Sequence, residues 1–153
     1  MTSAGVAAPK GCTNFKLRQL TRRVSQHYDR VVAASGLKTT QYSLLSQIEH
    51  RGPVRPSDLA AAMAMDTSTL TRNLQPLVAH GWARIGPGED GRSRLVAITA
   101  RGRTKRLEAQ RQWKRAQLAL NERLGADRVA ALHALLDECL ATLSEPELES
   151  SDA

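Results

Sequence analysis

Arg92 and Arg94 stand two residues apart in the run GEDGRSRLVAIT, which spans residues 88–99. Asp90 and Gly91 come directly before them. A turn-forming Asp-Gly pair followed by alternating apolar residues reads as the tip of a hairpin, and such tips are exposed. Guanidiniums offered to solvent do one kind of chemistry well: they donate charge-assisted hydrogen bonds to phosphates and other oxyanions. Asp90, two residues before Arg92, is placed to orient that guanidinium through a bidentate pair. A second set lies upstream. Ser68, Thr69, Arg72 and Asn73 share a helical face with Pro76, opposite Leu70, Leu74, Leu77 and Val78. Short hydroxyls, an amide and an arginine can hold phosphates or read base edges in a major groove.

Residue types for bond-making chemistry are poorly arranged. His133 and Asp137 are spaced i, i+4, but Cys139 falls off their helical face, and no Cys/His pair has a zinc spacing. There is no nucleophile–base set and no phosphate loop. The sequence therefore predicts a binding protein rather than an enzyme, with no cofactor and no metal.

The charge agrees. The chain has 22 Lys+Arg against 15 Asp+Glu, a formal +7. All 22 bases precede Asp137, whereas six acids lie from Asp137 onward with no base among them. A basic body predicts a polyanionic partner, double-stranded DNA first and a membrane surface second. A solubilising surface is the plainer explanation of charge alone. At 153 residues the chain suffices for one domain with a real core. No apolar run approaches the ~20 residues that span a bilayer. Nothing at the start resembles a signal peptide, and two distant thiols, Cys12 and Cys139, make no disulfide framework. A cytoplasmic location is expected.

These side chains need elements to position them. Apolar spacing predicts a first helix over residues 13–34, stopped by Ser35-Gly36, and a second from Thr40 to the Arg51-Gly52-Pro53 stop. A short third helix follows over 56–63, with Ser57 as its cap. A fourth spans 67–80, capped by Asp66 and closed by Gly81. Pro76 inside it predicts a bend. WARIG and RLVAIT, joined by PGEDGRS, read as a β-hairpin. Thr99 is placed to cap a long helix over 100–124, with Trp113, Leu120 and Leu124 on one face. A last helix covers 126–143, with Val129, Leu132, Leu136 and Leu143 in a near-heptad stripe. Residues 1–11 and the acidic tail 144–153 are expected to be disordered. The whole is mainly α with a small β wing: three helices plus a hairpin over about 40–99, the fourth helix being offered to DNA.

This stretch resembles the MarR family (multiple antibiotic resistance regulators). The matching residues are Leu59-Ala60, Thr69-Leu70-Thr71-Arg72, Gly81-Trp82, Asp90-Gly91-Arg92 and Ile98-Thr99-Ala100-Arg101-Gly102. The likeness covers about residues 12–143. Met63 departs from it, standing where leucine is usual. The resemblance implies a single winged helix-turn-helix domain over 1–143 that dimerises through helices at about 12–35 and 100–143. It also implies ligand- or redox-responsive transcriptional control, usually repression, at an inverted-repeat operator. The apolar stripes of the first and last two helices agree, since a compact winged unit cannot cover them and an identical chain can. The rival is a winged-helix module that binds an acidic protein.

In the family, small anionic aromatics sit between the dimer helices and the winged domain. By position, Arg18, Arg22, His27, Tyr28 and Trp113 are the residues here that would hold such a ligand. The family's hydroperoxide-sensing branch carries a reactive cysteine at the start of the first helix. Cys12 lies about two residues ahead of that place, where Asn14 stands, and the neighbouring tyrosine is missing. A small aromatic or phenolic acid is thus the expected signal, with Cys12 as the redox alternative.

Overall fold

The computed structural model describes residues 8–144. These fall into two compact units that divide between Ala116 and Gln117. The first contains α1 (Thr13–Val32), a 3-10 turn at Ala33–Ser35, α2 (Thr39–Arg51), α3 (Pro56–Ala62) and α4 (Thr67–Ala79). It continues through β1 (Ala83–Pro87), β2 (Arg94–Ile98) and most of α5 (Ala100–Leu124). The second contains the end of α5 and α6 (Ala126–Ser144). Every helix limit lies within two residues of its predicted place. The disorder expected for 1–7 and 145–153 lies outside the described residues. Ser144, expected in the tail, instead closes α6, its Oγ donating to the Leu140 carbonyl.

One core serves the first unit. α2 contributes Tyr42, Leu44, Leu45 and Ile48, α3 contributes Leu59 and Ala60, and α4 contributes Leu70, Leu74 and Leu77. The i, i+4, i+7 spacing on α4 puts its three leucines on one stripe. Val78, expected on that stripe, is 38% exposed. It follows Leu77 by one residue, about 100° round the helix. The Ser57 cap does not form either. Arg55 precedes the first turn and Pro56 opens it. A proline there has its φ already set and no N–H to satisfy, so no side-chain cap is required. Asp66 does cap α4, accepting from Thr69 N at 2.7 Å. Pro76 withholds the N–H that would bond the Arg72 carbonyl, yet α4 runs through it and ends with His80 N bonded to the Pro76 carbonyl.

α4 exits through Gly81, whose φ of 74° is the left-handed conformation that glycine adopts freely. Gly81 N bonds the Val78 carbonyl and Trp82 N the Leu77 carbonyl, which pairs two of the last carbonyls of the helix. The chain turns into an antiparallel hairpin with Ala83 opposite Ile98 and Pro87 opposite Arg94. Val54 adds one bridge to Val96. Thr99 then starts α5. Its Oγ1 donates to the Gly81 carbonyl at 2.6 Å and accepts from Gly102 N at 3.0 Å. On α5, Gly102, Ala109 and Ala116 are buried at seven-residue intervals.

Other apolar side chains stay uncovered. In the first unit Phe15, Leu17 and Leu20 of α1 and Leu107 of α5 are exposed. In the second, Leu135, Leu136, Leu140 and Leu143 line α6 in the open, while Val129 and Leu132 are half-buried. No helix among the described residues is long and apolar enough to cross a membrane.

Among the described glycines, Gly102 has the least room for a side chain. A Cβ there would lie 1.9 Å from the Trp82 carbonyl oxygen and 2.8 Å from an Ile98 carbon. Backbone cannot move aside as a flexible side chain can, so Gly102→Ala should cost about 3 kcal/mol or more of stability. Urea unfolding measures this, and a midpoint equal to that of the wild type would contradict it.

Candidate nucleic-acid interface

The face predicted on the fourth helix forms on α4. Ser68, Arg72, Asn73 and Pro76 are exposed and Thr69 is half-buried. Ser68 is held at the helix start, its Oγ donating to Asp66 Oδ1 at 2.8 Å. Asp66 organises this end. The Thr69 amide first, then the Ser68 hydroxyl, hold its carboxyl down at about 2 from an ordinary 3.8. Arg72, Asn73 and Pro76 line a cleft of about 170 Å³ with Lys38, Thr40, Gln41 and Leu44 of the α2 start. Lys38 and Gln41 carry no such expectation from the sequence. A cation and hydroxyls at a helix start are a visible signal, but only packing shows that they flank Arg72.

The wing departs from expectation twice. Asp90 does not pair with the Arg92 guanidinium. Its Oδ1 accepts from Arg92 N at 3.0 Å and Ser93 N at 2.8 Å, and its Oδ2 accepts from Ser93 Oγ at 2.6 Å. A carboxylate bonding amides two and three residues on builds the turn itself. The hydrogen bonds from Ser93, side chain before backbone, and then from the Arg92 amide hold the Asp90 carboxyl at about 2. The Arg92 side chain is exposed and in no ion pair among the described residues. Gly91 takes φ 68°, closing the turn as expected.

Arg94 is not at the tip. It opens β2 opposite Pro87, so the tip is the segment 88–93. Strand alternation puts Arg94 on the face of Val96 and Ile98, at the open end of that face where it stays exposed. There it lines a cavity of about 450 Å³ with Pro56, Thr71, Leu74, Gln75, Val78, Ala79 and Ile85. The two arginines therefore do different work: Arg92 projects from the wing, and Arg94 sits where the wing meets α4.

The residues proposed for a ligand divide in the same way. His27, Tyr28 and Trp113 come together, joined by Tyr42. The rings of His27 and Tyr28 meet edge-on at 5.9 Å, Tyr28 and Trp113 lie 6.4 Å apart, and Trp113 and Tyr42 5.8 Å. His27 Nε2 is 2.8 Å from the Ala116 carbonyl oxygen. Burial raises the Tyr28 phenol above its ordinary value of 10.0. Arg18 and Arg22 do not join this set. Both are exposed, and they precede Tyr28 by roughly 15 Å and 9 Å along the axis of α1 on other flanks. Cys12 is exposed at the N-cap position of α1, and Cys139 is exposed on α6. Among the described residues no three His, Cys, Asp or Glu are grouped to hold a metal.

Comparison with known proteins places this geometry. The MarR family profile matches residues 35–93. The multiple antibiotic resistance protein MarR of Salmonella typhimurium is 31% identical over 130 residues, which is 81% of this chain and 90% of that protein. The crystal structure of the M. tuberculosis transcriptional regulator MosR in complex with DNA superposes with a TM-score of 0.73. It is 31% identical and covers 88% of this chain and 100% of its own. A mutant MarR from E. coli complexed with operator DNA gives a TM-score of 0.76 at 23% identity. There the coverage is 83% of this chain and 92% of that one, and the likeness is one of fold.

The two capped turns carry a pH signature. Carboxyls held at about 2 in the folded chain and 3.8 when free stabilise fully above the free value. That contribution fades as pH falls from the free value toward 2. Carboxyl NMR should give midpoints near 2 for Asp66 and Asp90. The loss of stability from pH 4 to 2 should be smaller in Asp66→Asn and Asp90→Asn than in the wild type. Midpoints near 3.8 would mean that the caps are not formed in solution.

Proposed function

Since the chain belongs to the MarR family of DNA-binding transcriptional regulators, we propose that it acts as a homodimeric repressor on an inverted-repeat operator. The carrying observation is the pairing of an exposed polar face on α4 with a wing turn already organised by Asp90. Ser68, Thr69, Arg72 and Asn73 read the major groove, and Arg92 reaches the adjacent minor groove, where negative potential attracts guanidinium. Arg94, at the wing base, supports the α4 contact rather than the wing contact. The MosR and MarR complexes with DNA support this assignment by likeness of fold. The uncovered apolar residues of α1, α5 and α6 support a dimer built from about 12–35 and 100–143 around a reading unit at about 40–99. An identical chain would remove both sets from water at once.

The signal we propose is a small aromatic or phenolic acid. Its support is the half-buried set His27, Tyr28 and Trp113, where α1 meets α5. Arg18 and Arg22 are left out, being too far along α1 to serve the same ring. Such a ligand releases DNA to the extent that it prefers a dimer whose two α4 helices are misspaced for the groove. Cys12, exposed at the start of α1, makes peroxide the rival signal.

Footprinting should show protection of two half-sites about one helical turn, ~34 Å, apart. No selective binding by a folded dimer in low salt would favour an acidic protein partner instead. Arg72→Ala should lose about 1–3 kcal/mol on the operator and less on random duplex, whereas Arg92→Ala should lower the salt dependence by about one phosphate contact. Release by an aromatic acid and not by peroxide is expected. Peroxide release abolished by Cys12→Ser, with no response to any acid, would reverse the assignment of the signal.

A further inference from the structure

We propose that Asp29 and Glu49 are positioning residues for the DNA-reading face, each tying one end of α2 to a helix outside the reading unit. This rests on the DNA-binding reading above. In a basic chain these two acids stand out: Asp29 is the sole acid of α1 and Glu49 the sole acid of α2. Neither is left to solvent alone. Asp29 Oδ1 accepts from Thr39 N, the first residue of α2, at 2.9 Å. At the other end, Glu49 lies 2.7 Å from Arg106 Nε and 3.8 Å from Arg103 Nε on α5. Of the ion pairs among the described residues, the other two are local i, i+3 contacts. The pairs that span distant parts of the sequence all run through Glu49.

The Glu49 tie is one of charge. Arg106 Nε is close to the carboxylate but out of line for a hydrogen bond. The Arg106 side chain is only 20% exposed and that of Glu49 33%, so water and salt screen the pair less than a surface pair. Removing the carboxylate leaves a half-buried guanidinium without its counter-charge.

What lies between the two ties is the reading face. Lys38, just before α2, and Thr40, Gln41 and Leu44 of α2 flank Arg72, Asn73 and Pro76 of α4 across the small cleft. Glu49 stands roughly 14 Å along α2 from Thr40, so it acts on that cleft through the helix. A shift or tilt of α2 moves the flank against which Arg72 and Asn73 rest. Beside the apolar packing of α2, including Tyr42 against Trp113, each of α1 and α5 thus holds one end of α2 by a polar tie.

Charge alone predicts the opposite of this role. Deleting an acid from a basic DNA-binding chain should tighten its hold on any duplex. Positioning predicts a loss confined to the operator. The test uses the full chain and two duplexes of equal length: one selected by the chain from a random pool, and a scrambled version of it. Fluorescence anisotropy across salt is read for wild type, Glu49→Gln, Glu49→Asp and Asp29→Asn, with the melting temperature of each. We expect Glu49→Gln and Asp29→Asn to lose about tenfold on the selected duplex, with scrambled binding unchanged or tighter. Glu49→Asp should restore most of the loss, and it carries the test with Asp29→Asn if Glu49→Gln does not fold. Equal tightening on both duplexes would reduce the acids to bulk charge and overturn the proposal. Equal weakening in step with melting temperature would reduce them to general stability and overturn it too. A wild type that does not distinguish the duplexes would remove the DNA-reading premise, and the proposal with it.

Discussion

The hydroxyl of Thr99 joins three elements at one point. It donates to the Gly81 carbonyl just after α4 and accepts from the Gly102 amide in the first turn of α5, while its own residue directly follows β2. Because Gly102 has no Cβ, the first turn of α5 can lie against the Trp82 carbonyl. The fourth helix, the wing and the start of the long helix are thereby held as one body. If that contact opened, the wing could swing relative to α4, and the distance between Arg92 and Arg72 would no longer be fixed. The core leucines supply the cohesion, but this polar joint supplies the orientation.

Charge is arranged around that joint with unusual economy of acids. Asp66 and Asp90 each stabilise a backbone turn, one at the start of α4 and one in the wing. Their negative charge is taken up by amides at close range. They therefore shape a surface for a polyanion while offering it little repulsion. Among the described residues, the nearby Arg92 is in no ion pair.

The helices were legible because each has its own punctuation: Asp66 and Gly81 around α4, Thr99 before α5, Gly52 after α2. Periodicity then placed Leu70, Leu74 and Leu77 inside. The errors fell where local pattern and tertiary register compete. Val78 is as apolar as its neighbours, and only the angle of α4 exposes it. Arg94 looked like a tip residue because the turn formers run up to Ser93. The pairing of Arg94 with Pro87 places it in the strand, on the face of Val96, where it remains exposed. Asp90 was read as a partner for a side chain, when backbone amides lay nearer than any guanidinium. The ties made by Asp29 and Glu49, and the place of Lys38 and Gln41 beside Arg72, join residues far apart in sequence and leave no local signature.

The wing turn has one further property. A Cβ on Gly91 would meet nothing within 4 Å, Arg92 is exposed, and the turn is closed by Asp90 and Ser93 from within. None of the fully buried large side chains comes from the segment 88–93. The tip is thus a cassette: its fold is written into its own six residues, and the body below supplies two strand ends. Descendants of this chain could exchange the cassette without disturbing the core. Diversity at the wing can then arise by short replacements at a tip that the rest of the protein does not have to accommodate.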